Sequence, residues 1–301
     1  MKKFLILSLI ILLGLPAFSQ VKMRTRLYTG LTNIEIEEYL RRNDIIIVPI
    51  GPTEVNGAAP VDVEYVGPLA YAIKLAEKVD ALVLEHMVFC YPGGTTSGRG
   101  SVYTSPTYYT KFIKIIATSL LRQGFKTQIY ITGHGPSHSF MDAFLFEFLA
   151  ENKVPVAHIT MGTIASNLTL TTKTEPGATM LGSYSIVGRL DDILLSTDGI
   201  SQPDLATYEP RLPMPPEGLR SGQVNSSYPT AWYYFTPYDH GGVPKPVAAT
   251  VAERDRLAKI GVAYIEEVVD KFDAAGMVQA LRDHQKYIQE VVDKYGDLLP
   301  K

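Results

Sequence analysis

Cysteine is nearly absent from this chain of 301 residues; Cys90 stands alone. A single cysteine excludes an intramolecular disulfide framework and any thiolate-rich zinc or iron-sulfur site. Charge of one sign is not in excess either, because 28 Lys+Arg against 31 Asp+Glu leave a net charge of -3. The chain therefore carries no electrostatic footprint of a nucleic-acid binder. The apolar run from Phe4 to Leu15 is too short to span a bilayer comfortably. A Gly-x-Ser-x-Gly nucleophile elbow is missing, and Gly93 to Gly100 lacks both the spacing of a dinucleotide fingerprint and the lysine of a P-loop. Histidine is scarce, with six in all. What is present is 46% hydrophobic and 20% charged content, enough to bury a sizeable core.

Lys2 and Lys3 ahead of the Phe4 to Leu15 run, then Pro16 and the small residues Ala17 and Ser19, follow the grammar of a signal peptide cleaved after Ser19. The expected mature protein, residues 20–301, is exported to the periplasm or secreted, with no membrane attachment after cleavage. Losing the two lysines leaves 26 basic against 31 acidic residues, a net charge of -5.

Beyond the leader, strand and helix signals alternate. Asp44 to Ile50 reads as a strand buried on both faces, and Ala81 to Leu84, Thr127 to Thr132 and Val154 to Ile159 read as three further strands. Helical patterns cover Ile34 to Arg42, Glu64 to Val79, Pro106 to Gln123 and His138 to Asn152. Four strand-loop-helix repeats imply one α/β domain with a mostly parallel sheet between helices. Further on, Gly182 to Leu195 looks helical, Pro203 to Pro229 is a Pro/Gly-rich connection, and Ala231 to Phe235, with Trp232, is an aromatic strand. Two long helices, within about 247–295, close the chain.

In such a sheet, ligands bind beyond the carboxyl ends of the strands. The loop after the first strand carries Glu54, Asn56, Asp62 and Glu64; the loop after the third carries His134 and His138. Carboxylates and imidazoles converging from neighbouring strand ends suit Zn²⁺ or Mn²⁺. With cysteine so scarce, any metal must be held by such groups. Arg99, among Gly94, Gly98 and Gly100, could bind a substrate carboxylate in bidentate fashion. His240 is a candidate general acid or substrate contact, and His138 either begins its helix or serves the chemistry. Asn56 could equally brace its turn. Cys90, in an apolar context, reads as packed.

Pro49-Ile50-Gly51-Pro52-Thr53-Glu54-Val55-Asn56-Gly57 resembles the P-x-G-S-x-E-x-H-G signature of the creatininase (creatinine amidohydrolase) family. Pro60 to Glu64 is similar to the P-x-x-x-D that follows it. Thr132-Gly133-His134-Gly135 resembles the N-x-H-G turn, and Arg99-Gly100-Ser101-Val102 stands where the family has P-G-T-I. Gly242 to Thr250 resembles the G-V-x-G-D-P-x-x-A-T segment. The resemblance runs in order from about residue 31 to 272. It implies a three-layer α/β/α fold and a hydrolase that cleaves a C-N bond, amide or lactam, in a small polar substrate by attack of metal-bound hydroxide. It also implies one or two zinc or manganese ions and a homo-oligomer, commonly a hexamer.

Carried over by position, Glu54 matches a ligand glutamate, His134 the turn histidine, and Glu64, with one residue deleted, the bridging aspartate. Asn56 replaces a ligand histidine, Pro136 occupies the place of a second-metal glutamate, and Thr132 replaces the turn asparagine. Glu175-Pro176-Gly177-Ala178 is the nearest stretch to the family's H-A-G-E-x-E-T-S segment and lacks its histidine. One ion would keep Glu54, Glu64 and His134; Asp62 and His138 are the candidate replacement ligands for a second. Two other functions fit the same residues: a relative acting on a keto-sugar or inositol-type substrate through a one-metal site, and a binding protein that has lost its chemistry.

Overall fold

The computed structural model describes residues 23–97, 99–198 and 245–299. The leader, the Pro203 to Pro229 connection, the aromatic strand with Trp232, His240 and Gly242 to Pro244 lie outside the described residues. The chain enters through α1 (Asn33–Leu40), β1 (Ile45–Ile50), α2 (Val63–Val79), β2 (Leu82–Val83) and α3 (Pro106–Gln123). It continues through β3 (Thr127–Thr132), α4 (His138–Asn152), β4 (Ala157–Thr160), α5 (Met161–Ala165) and α6 (Ala178–Ile186). Then come α7 (Val251–Lys271) and α8 (Ala274–Tyr295).

The strands form one parallel sheet in the order β2-β1-β3-β4. All six residues of β1 and all six of β3 are buried, as in a sheet covered on both sides; the polar Thr127, Gln128 and Thr132 of β3 are hydrogen-bonded there. Alternation along the strands sorts the core into two layers. Ile46, Val48, Ile50 and Tyr130 pack with Tyr39 of α1, Ile113 and Ala117 of α3, and Phe140, Phe144 and Phe148 of α4. Ile45, Ile47, Ile129 and Ile131 point the other way, against Tyr71 and Leu75 of α2, Ile265 and Val268 of α7, and Val278 of α8. Helices thus cover both faces, giving the expected three layers.

Local chemistry sets most boundaries. Thr32 and Glu35 close a capping box on α1, Ser105 caps α3 with Pro106 in its first turn, and Gly124 ends it at φ 114°. Several boundaries differ from the sequence reading, two elements most. β4 starts at Ala157, opposite Ile129, because Pro155 has no N–H to give a ladder. The helix expected over Gly182 to Leu195 runs from Ala178 to Ile186 instead, with a separate 3-10 turn at Leu190–Asp192, and Gly182 sits inside it. That glycine serves packing: a Cβ there would lie 2.3 Å from the Gly261 carbonyl carbon of α7. Among the described residues no helix is long and apolar enough to cross a membrane.

Candidate metal centre

Because β1 and β3 are parallel neighbours with Ile50 opposite Thr132, their loops leave the same edge of the sheet. Gly51 then decides how close the first loop runs to α2. A Cβ on it would lie 2.5 Å from both the Glu64 carbonyl oxygen and the Tyr65 Cα, so only glycine allows this approach. The approach brings Glu54, on the loop, beside Glu64, in the first turn of α2. The loop is pinned by Glu54 N–H to the Val61 carbonyl at 2.8 Å, Val102 N–H to the Thr53 carbonyl at 2.9 Å, and Val55 N–H to Ser101 Oγ at 3.1 Å. From the other strand end comes His134, held in the turn ahead of α4.

Glu54, Glu64 and His134 each offer a ligand atom, and these atoms lie within 4.8 Å of one another. His134 Nε2 faces the Tyr91 carbonyl oxygen at 3.1 Å. With that N–H donated, Nδ1 is the atom turned to the carboxylates, hydrogen-bonded to Glu64 Oε2 and 3.6 Å from Glu54 Oε1. A ligand histidine anchored through its other nitrogen to a backbone carbonyl is the usual outer arrangement of a metal site.

Glu54 is the anomaly that tests the fit. Its side chain is 0% exposed, and among the described residues no lysine or arginine pairs with it. Oε2 accepts from Thr95 Oγ1, while Oε1 is buried without a hydrogen-bond partner. Burial first and the neighbouring Glu64 charge second push its carboxyl well above the usual carboxylate range, against a smaller opposing pull from the Thr95 hydroxyl. A buried, unpaired carboxylate is costly unless a cation completes it. Two carboxylates and one imidazole nitrogen form a donor set suited to a divalent ion, so the residues fit one.

Asn56 is also buried, and its amide lies beside Glu54, where it opposes the rise of that carboxyl's pKa. Asp62 lies outside the three-residue cluster. Rather than joining Glu64, its carboxylate accepts from Tyr184 Oη at 3.0 Å and pairs with Arg189. Residues two apart at a helix start project in different directions, so Asp62 ties α2 to α6 instead. His138 is the first residue of α4 and exposed, outside the three-residue cluster. Arg99 is exposed on the turn before Ser101. Thr132, in place of the turn asparagine, bonds His158 Nε2 at 2.8 Å, and burial lowers the pKa of that histidine. Cys90 is fully buried, and burial raises its thiol pKa.

Sequence reasoning missed Tyr91 and Thr95, which reach the cluster from the loop after β2. The only signal was glycine density: Gly93, at φ 69°, sits where a Cβ would lie 2.6 Å from Pro136 Cγ. That contact presses the loop onto the turn holding His134.

Comparison with known proteins gives a consistent picture. The profile of the family described as Creatininase, creatinine amidohydrolase, matches residues 29–184, just over half of the chain. No curated protein matches in sequence. Among solved structures, a Bacteroides fragilis NCTC 9343 protein provisionally assigned as a creatinine amidohydrolase superposes with a TM-score of 0.57 at 15% identity. The match covers 86% of this chain and 96% of that one. A tryptophan-to-alanine mutant of creatininase gives 0.55 at 16% identity, covering 87% and 99%. A manganese creatininase gives 0.51 at 18% identity, covering 83% and 100%.

Proposed function

The chain belongs to the creatininase family and is an enzyme of the metal-dependent amidohydrolase type, and from that premise we propose that it cleaves a C-N bond, amide or lactam, in a small polar molecule. Glu54, Glu64 and His134 would hold one divalent ion, zinc or manganese. The observation that carries this reading is the buried, unpartnered Oε1 of Glu54 beside the Nδ1 of an oriented histidine. An ion there would supply Lewis acidity, lowering the pKa of water from 15.7 toward about 7 and polarising the substrate carbonyl.

The chain's own groups divide the remaining work. Tyr91 fixes the imidazole, and Thr95 fixes Glu54. Glu64 is the one member of the cluster with an open side, its side chain 28% exposed, so substrate enters past it. The hydrogen bond between His134 Nδ1 and Glu64 Oε2 would give way when an ion takes that place.

A one-ion site is favoured over two, since Asp62 is committed to Arg189. Export by the N-terminal leader and assembly into a homo-oligomer belong to the same proposal, supported by the signal-like order of residues 1–19 and by the family. The test is elemental analysis of the purified protein with an amide and lactam panel that includes creatinine. About one zinc or manganese per chain, lost in Glu54→Ala together with hydrolysis, is expected. No stoichiometric metal in the wild type, or metal binding unchanged in Glu54→Ala, overturns the reading.

A further inference from the structure

We infer that Thr95 is a positioning residue that selects which oxygen of Glu54 is presented to the ion. The inference rests on the metal-centre reading above, and the experiment below separates the two. Thr95 is 1% exposed, and its Oγ1 lies between Glu54 Oε2 and the Pro92 carbonyl oxygen, the latter at 2.8 Å. A hydroxyl has one proton to give. If Glu54 is ionised, Thr95 donates to Oε2; if Glu54 carries a proton on Oε2, Thr95 accepts it and donates to Pro92. Oε2 is engaged in both states. Oε1 is left without a partner in either, 3.6 Å from His134 Nδ1.

The same loop orients the second ligand, because the Tyr91 carbonyl receives His134 Nε2. It is seated firmly: Thr95 belongs to the turn Gly93–Ser97, and Gly93 meets Pro136 in a contact that leaves no room for a Cβ. One short stretch, residues 91–95, therefore aims an oxygen and a nitrogen from two different strand ends at one point. A chain that needed Thr95 only to fill space would be served equally by valine, which has the same shape without the hydroxyl.

The affinity of the chelator-stripped protein for Zn²⁺ and Mn²⁺, measured by competition with a chromophoric chelator, distinguishes hydroxyl from shape. Thr95→Val is expected to bind about 10- to 100-fold more weakly, and Thr95→Ser to stay within about 3-fold of wild type. Thr95→Ala, smaller and also lacking the hydroxyl, is expected to follow Val; it carries the test if Val does not fold, as judged by circular dichroism. Wild-type affinity in Val or Ala, or a Ser variant as weak as either, overturns the role of Thr95 while leaving the metal centre standing. A wild type that takes up neither ion removes the metal centre, and Thr95 with it.

Discussion

Glu54 and Asp80 are buried carboxylates at opposite ends of one sheet, and their surroundings are opposite too. Asp80, before β2, accepts from Arg26 at 3.0 Å and pairs with Arg42, while its carbonyl takes Tyr39 Oη at 2.9 Å and Asn43 Nδ2 at 2.8 Å. Every demand of that carboxylate is met from within the chain. Glu54, beyond β1, has an orphaned oxygen, a second carboxylate beside it and no cationic side chain among the described residues. At Asp80 the chain meets a buried acid with two guanidinium groups; at Glu54 no such group among the described residues balances the charge. An unbalanced buried charge is a cost that a bound cation repays, and this marks the functional edge.

The largest expected effects come from exchanging each acid for its amide. Asp80→Asn leaves two partly buried arginines short of a partner and should lower stability by about 2–4 kcal/mol in urea unfolding, discounted because Arg42 reaches solvent. Glu54→Gln should do the reverse in the ion-free protein at pH 8, leaving stability unchanged or raised by about 1 kcal/mol, since it removes a desolvated charge. Its zinc affinity should fall on the order of 100-fold or more. A Glu54→Gln protein that is destabilised as strongly as Asp80→Asn would mean that Glu54 has a partner after all.

A pH series gives the next effect. The Glu54 carboxyl titrates above its usual value in the folded chain, so the native state holds that proton to higher pH than the unfolded state does. Stability of the ion-free protein from this group is then full below the ordinary carboxylate range and falls as pH rises through the raised value. A bound cation cancels the loss. The rise in Tm on adding zinc should therefore grow between about pH 5.5 and 8, read by calorimetry with and without metal. An increment that is flat or shrinks with pH would count against an unpaired Glu54.

The smallest effect belongs to Asp62, the other acid of the site loop. Its ion pair with Arg189, whose side chain is 41% exposed, should be worth no more than about 1 kcal/mol. Asp62→Asn should accordingly cost little stability and leave zinc affinity within about 3-fold of wild type. A loss like that of Glu54→Gln would return Asp62 to the ligand set.

The central sheet was legible because Ile45–Ile50 is apolar on both faces and Thr127–Thr132 repeats the strand after a glycine-stopped helix. Glu54, Glu64 and His134 were singled out because loops beyond the carboxyl ends of strands are where ligands bind and because the motifs around them resemble the creatininase signature; the structure brings the three together. Direction was not legible. Asp62 and Glu64 look equivalent on paper, yet a helix start turns them to different partners. Thr95 was hidden for another reason: a hydroxyl in a glycine-rich loop has no spacing rule, and only the seating of Gly93 on Pro136 brings it to Glu54. Gly182 read as a helix start because a glycine needed for a close helix crossing looks the same in sequence as one that interrupts a helix.

Anomalous scattering at the zinc edge from crystals of the zinc-loaded protein addresses the metal centre most directly. One peak about 2.0 to 2.2 Å from Glu54 Oε1 and His134 Nδ1, with a Glu64 oxygen in the same shell, is the expected result. A peak held by other residues, or no peak near Glu54 in fully zinc-loaded crystals, would contradict it.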